Sequence, residues 1–159
     1  MTVHIQEGLF DLYTIAQKLK KLHNSGASVT FEGYVRDFDL EQDKLEVLEL
    51  EHYPGMTESA IEAMIDEAHQ RFDFYQAKVI HRVGDLKPAD QIVMVAVTSA
   101  HRGESFKACE FLMDYLKTQA PFWKKEETPG GAQWVDARVS DDEALARWGI
   151  QAQNAPHKD

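Results

Sequence analysis

The sequence predicts an α+β protein of one domain, with helices layered on sheet. Three observations carry that prediction. Segments of helical and of two-residue apolar periodicity follow one another in the order α-β-β-α-β-β-α-β-β. One run, Ile92-Val93-Met94-Val95-Ala96-Val97, is apolar on both faces, as a central sheet strand requires. The 159 residues are 43% apolar and 28% charged, a balance that supports a real core and argues against wholesale disorder.

Taken in order, Leu12, Ile15, Ala16 and Leu19 recur at helical spacing, and Asn24-Ser25-Gly26 closes that helix. Ala27, Val29, Phe31, Gly33 and Val35 alternate and predict a strand ending near Arg36. A polar loop follows, then a second strand around residues 45–53. Its apolar phase slips between Val47 and Leu48, which predicts a bulge there. Pro54-Gly55 breaks it. The clearest helix carries Ile61, Met64, Ile65, Ala68 and Phe72 on one stripe, with Thr57 as expected N-cap. Residues 77–83 and 92–98 read as strands joined by a turn region over 84–90. A third helix spans about 104–119, with Phe106, Cys109, Leu112, Met113 and Leu116 inward, and Pro121 stops it. Two short strands flank the turn Thr128-Pro129-Gly130-Gly131. A short acidic helix is expected near 141–148. Residues 1–148 are read as the domain and 149–159 as a frayed tail.

Composition excludes several functions. A single cysteine, Cys109, forbids an intrachain disulfide and a four-cysteine zinc site. No apolar run approaches the ~20 residues of a membrane helix, and Met1-Thr2-Val3-His4 opens without a basic-then-apolar signal pattern. With 27 acidic against 17 basic residues and a net charge of −10, non-specific nucleic-acid binding is not expected. The expected setting is cytoplasmic, without membrane or nucleic-acid partners.

The charge is uneven. Residues 37–51 hold seven carboxylates and one lysine, whereas residues 115–125 hold three lysines and no acid. The ordinary reading of such an island is a solvated face, but in an acidic chain its surroundings do not account for it. None of the seven histidines forms a metal-binding spacing, and His81 inside a strand reads as a packed or surface residue, so no metal site is expected. Cys109 on an apolar stripe reads as a buried thiol.

Ser99-Ala100-His101-Arg102-Gly103 joins a buried strand to a helix start. Backbone N–H groups and the helix dipole favour an anion there, and His101 and Arg102 add donors; the plainer reading leaves both side chains in solvent. Arg36, ending another strand, is a candidate for the same anion. Lys117 closes the third helix, and Phe122-Trp123 precede Lys124-Lys125. Lysines beside apolar rings and other cations lose solvation and become accessible as neutral amines; otherwise a terminal lysine simply complements the helix dipole. If 102–117 is one helix, Arg102 and Lys117 lie ~22 Å apart. Either the pocket is long, or His101 and Arg102 serve a second copy across a two-fold interface, which we favour.

Five motifs, in register from about Gly26 to Arg138, resemble the large, catalytic subunit family of molybdopterin synthases. They are Phe31-x-Gly33-x-Val35-Arg36, Leu50-Glu51-His52-Tyr53-Pro54-Gly55-Met56, His81-Arg82-Val83-Gly84, Ser99-Ala100-His101-Arg102, and the run from Met113 to Glu126. The resemblance implies an α/β hammerhead-type fold with an additional β subdomain. It implies a homodimer within a heterotetramer, each end binding a small ubiquitin-like sulfur carrier with a Gly-Gly terminus. Two sulfurs pass from the carrier's thiocarboxylate to cyclic pyranopterin monophosphate, forming the molybdopterin dithiolene; no cofactor or metal is implied for the step.

Lys117 matches the family's essential lysine and Lys124 its second functional lysine. Tyr34, Val35, Arg36, His101, Arg102, Lys125, Glu126 and Arg138 match substrate-binding positions, Arg138 reaching in from the partner chain. Phe31 and Met113 match pocket walls. At position 34 relatives often carry a basic residue, so Tyr34 offers the site its backbone. Two other readings stay open from the residues: a non-catalytic phosphate-ligand module, and an adaptor whose groove holds a Gly-Gly protein tail. Co-purification with a small Gly-Gly protein, then a synthase assay, separates the three.

Overall fold

The computed structural model describes residues 2–36, 46–135 and 139–150. Most of the acidic loop, Arg138 and residues 151–159 of the expected tail lie outside the described residues. The elements are β1 (Val3–Gln6), α1 (Leu12–Leu22), β2 (Ala27–Tyr34), β3 (Val47–His52), α2 (Met56–Arg71), β4 (Gln76–Arg82), β5 (Gly84–Leu86), β6 (Gln91–Ser99), α3 (Arg102–Gln119), β7 (Phe122–Thr128), β8 (Gly131–Val135) and α4 (Val139–Ala146). They build two four-stranded sheets, β1-β4-β6-β2 and β5-β3-β7-β8. The architecture is mixed α+β.

The doubly apolar run places β6 centrally, between β4 and β2. Val93, Val95 and Val97 face a core completed by Ile61, Met64, Ile65 and Ala68 of α2 and Ala108, Phe111, Leu112 and Leu116 of α3. Met94 and Ala96 face the other way, onto Leu19 and Phe10 beside α1. A separate cluster of Val35, Leu48, Leu50, Val83 and Leu86 serves the second sheet. Burying both faces of β6 is what its lack of polar residues requires. Past α4, the Trp148 indole lies edge-on to Phe72 and Phe111 and donates to Asp114 Oδ2 at 2.8 Å, holding that segment to α3.

Several expectations are corrected. Phe106 is 60% exposed: the buried stripe of α3 follows Ser105, Cys109, Leu112 and Leu116, and Phe106, one residue past Ser105, is turned ~100° away from it round the helix. The bulge is absent from β3, whose pairing with β7 runs unbroken from Val47 opposite Glu127 to His52 opposite Phe122; a register shift occurs in β2 instead, between Gly33 and Tyr34. The apolar phase slips in β3 because Leu48 and Leu50 face the core while Val47 takes the other face. Thr57 is not the N-cap of α2. Gly55 is, at a φ of 84°, where a residue without Cβ is unstrained, and Glu58 Oε2 accepts its N–H at 2.6 Å. Thr57 is instead fully buried, accepting from Tyr53 N and donating to the Pro121 carbonyl at 3.0 Å each. That bond ties the start of α2 to the segment after α3. Strands β1 and β5 were not expected. Each is short, and each is defined by a distant partner, β4 for β1 and β3 for β5.

Candidate functional site

The site forms where the two sheets meet at one end of the molecule. Helix α3 starts after β6 and packs back along it, Cys109 Sγ lying 4.0 Å from the Val95 carbonyl. Its C-terminal end therefore returns to the level at which β6 begins and β2 ends. Met113 and Lys117, four residues apart, share one side of that end. Met113 is half-buried against the main core and Lys117 is exposed.

The end of β2 arrives at the same level. Tyr34 pairs with Gln91, and the Val35 backbone is engaged on both sides, its N–H by the Asp90 carbonyl and its carbonyl by the Ala89 N–H, at 2.9 Å each. The Val35 side chain is buried in the second-sheet core, and Arg36 beside it is exposed. Phe31 lies opposite Val95, on the α3 side of the sheet, and is 38% exposed. Tyr34 is exposed, and its hydroxyl donates to Glu32 Oε2 at 2.8 Å, a bond to a carboxylate that pushes the phenol's pKa up.

Strand β7 brings the second lysine. Phe122 lies opposite His52, Lys124 opposite Leu50 and Glu126 opposite Leu48, so these three point to the inner face with the buried leucines. Trp123 and Lys125 take the outer face, where Tyr53 meets the Trp123 ring edge-on at 4.2 Å and Lys125 Nζ stands 5.7 Å from the Trp134 ring. Lys124 and Lys125 are thus neighbours in sequence but serve opposite surfaces of one sheet.

Beside the inner face of β7 sits His81, which the sequence predicts as a packed or surface residue and which opens the motif His81-Arg82-Val83-Gly84. His81, at the end of β4, is buried, stacks on Phe122 at 4.0 Å with 21° between the rings, and has Nδ1 2.8 Å from the Arg82 carbonyl. Burial pushes its pKa down to about 3; the Arg82 carbonyl opposes this, while Lys124, Lys117 and His52 add to it. The ring is therefore neutral at ordinary pH. Because a carbonyl only accepts, Nδ1 carries the proton and Nε2 is an acceptor. His52 in turn lies 3.5 Å from Glu58 Oε1. The available signal was positional: His81 is the penultimate residue of its strand and lies three residues before Gly84, where the second sheet's strand β5 begins.

His101 and Arg102 are not part of this end. His101 caps α3, Arg102 begins it, and both are exposed. Their loop is held by Ser99, whose buried hydroxyl donates to the His101 carbonyl at 2.6 Å and meets Ser105. Since α3 is unbroken from Arg102 to Gln119, the two ends stay ~22 Å apart within one chain. Cys109 is a core thiol, pushed up to about 11 chiefly by burial, the reverse of an activated nucleophile. Among the described residues, no group of three His, Cys, Asp or Glu side chains is placed to hold a metal, and no helix is long and apolar enough to cross a membrane.

Chemically, this end combines two amines, a guanidinium and a neutral imidazole beside aromatic and thioether surface. Fold and site together define a two-sheet α+β protein equipped to polarise a carbonyl and to hold an anion next to it. A family model described as "MoaE protein" matches residues 5–119. A protein of Ralstonia nicotianae named "Molybdopterin synthase catalytic subunit" is 57% identical over 155 residues, covering 97% of this chain and 88% of the relative. Among solved structures, a molybdopterin biosynthesis MoaE protein from Burkholderia ambifaria superposes with a TM-score of 0.81 at 52% identity, covering 94% of this chain and 99% of that one. A molybdopterin synthase from Staphylococcus aureus superposes with a TM-score of 0.79 at 29% identity, covering 85% and 97%. The chain belongs to the MoaE protein family.

Proposed function

We propose that this chain is the catalytic subunit of a molybdopterin synthase, moving two sulfurs, one from each of two successive carrier thiocarboxylates, to cyclic pyranopterin monophosphate. One observation carries the reading: Lys117 stands in the last turn of α3, and Lys124 stands on the inner face of β7, two residues past the Phe122 ring that stacks on the buried His81. The two amines thus come from separate elements, joined through the turn at Pro121. The names of the relatives support the same activity.

In this reading the carrier's Gly-Gly terminus enters between α3 and β7. As the carrier's sulfur bonds to the pterin, water adds to the acyl carbonyl, the C–S bond breaks and the carrier leaves as a carboxylate; Lys117 activates that carbonyl or moves a proton there, and Lys124 stabilises the negative charge that develops on its oxygen. Arg36 and the backbone of residues 34–35 hold the substrate from the β2 side, Phe31 and Met113 wall the cleft, and Lys125, Glu126 and Arg138 contribute to binding. His101 and Arg102 supply the phosphate site from a second protomer, which makes the assembly a homodimer carrying one small subunit at each end. The fold is assigned to the hammerhead type, with the sheet β5-β3-β7-β8 as its added β subdomain, and the setting to the cytoplasm. Reconstitution with a thiocarboxylated carrier tests the reading by following dithiolene formation. Lys117→Ala is expected to lose at least ~10²-fold in turnover. Full turnover in that variant would overturn the assignment of Lys117.

A further inference from the structure

His81 has no part in the chemistry just described, yet the fold invests heavily in its placement. Phe122 covers one face of its ring at 4.0 Å, the Arg82 carbonyl takes its Nδ1–H at 2.8 Å, and the ring is almost closed off from solvent. Each of these restrains a different motion: the stack restrains tilt, and the hydrogen bond restrains rotation about the side chain and selects the tautomer. Nε2, across the ring from Nδ1, is left as the one polar atom able to act on other groups.

We propose that His81 is a positioning residue for the lysine pair: its locked ring presents Nε2 as a fixed acceptor at the back of the cleft and sets where an amine stands. Phe122, stacked on the ring, shares the inner face of β7 with Lys124 two residues on, while Lys117 of α3 and His52 of β3 lie within electrostatic reach, with Glu58 of α2 paired to His52. An imidazole suits this place because it accepts a hydrogen bond without adding a carboxylate's charge. A carboxylate there would bind the amines as tight ion pairs and hold them protonated; an apolar side chain would leave a flexible lysine to choose its own rotamer. His81 thereby makes the amine position a property of β4 rather than of the lysine's four-carbon stem.

The activity arm of the test rests on the sulfur-transfer reading above; the titration arm does not. The lysines of the isolated chain are dimethylated with ¹³C, and the midpoints of Lys117 and Lys124 are followed by NMR. His81→Phe keeps the ring stack and removes Nε2, and at least one of the two midpoints is expected to fall by about one pH unit. His81→Gln, whose amide oxygen reaches the Nε2 position, is expected to restore it. In the reconstituted synthase, His81→Phe is expected to lower kcat about tenfold, with KM for the pterin unchanged and partial recovery in His81→Gln. Unmoved midpoints in His81→Phe would overturn the proposal, as would equal loss of kcat in both variants. A shifted midpoint in a chain that shows no synthase activity would uphold the proposal and overturn the functional reading instead. Should His81→Phe fail to fold, His81→Asn, too short to reach the Nε2 position, replaces it against His81→Gln and is read by the same midpoints.

Discussion

If the phosphate-binding pair of one protomer serves the lysines of another, two different inactive chains should repair each other. Arg102 and Lys117 lie on one unbroken helix, and the fifteen residue-steps between them span ~22 Å along its axis. A single small heterocycle cannot touch both within one chain. Lys117→Ala and Arg102→Ala are each expected to be inactive as homodimers. When equal amounts exchange subunits freely, half the dimers become heterodimers. Each heterodimer carries one site with both substitutions and one site with neither. The mixture should therefore regain about a quarter of wild-type activity. The assay is dithiolene formation with thiocarboxylated carrier, and native mass spectrometry of differently tagged chains verifies exchange. Activity no higher than that of the parent variants, after verified exchange, would refute sharing and require a long site within one chain.

Two further outcomes follow from local geometry. A Cβ on Gly26 would stand 2.2 Å from the Ala100 carbonyl oxygen, a backbone atom that cannot swing aside, and Gly26 N already donates to the Ser99 carbonyl at 3.0 Å. Gly26→Ala is thus expected to cost ~1–3 kcal/mol, read from the shift of the urea midpoint, and an unchanged midpoint would contradict that close approach. His81 should make stability depend on pH. Its folded pKa is lowered from 6.5 to about 3, so between those values the unfolded chain binds a proton that the native chain does not, and stability falls as pH drops. Removing it by His81→Phe should lessen that loss by up to ~1.4 kcal/mol per pH unit between pH 6 and 4, measured by urea unfolding at each pH; an identical slope in both proteins would contradict a buried neutral ring.

Much of the framework was legible from residue order. Alternation identified β2, double-sided apolarity identified β6 as central, and helical stripes identified α1, α2 and α3, because burial selects residues at the period of the element. Pro54-Gly55 and Pro121 marked real ends. The misreadings share a cause. Strand β5 is three residues long and has meaning only through its pairing with β3, and β1 only through β4. Phe106 is as apolar as its neighbours but lies off the buried stripe. Thr57 has the residue type of a cap, yet its hydroxyl is committed to the Pro121 carbonyl across 64 positions of sequence. Periodicity reports the environment of a segment, and these features depend on a distant partner.

The candidate site divides the same way. The sequence by itself determined which residues carry charge, where Lys117 and Lys124 stand relative to a helix end and a strand start, and that Arg102 is a long helix away from them. Only the tertiary structure decided that Lys124 shares the inner face with Phe122 while Lys125 takes the outer one, that the Val35 side chain is buried, and that His81 stacks on Phe122 beside that inner face. The physical reason is that charge and local period are written into adjacent residues. Which face a strand buries, and which ring closes over a histidine from β4, follow from contacts between elements far apart in the chain.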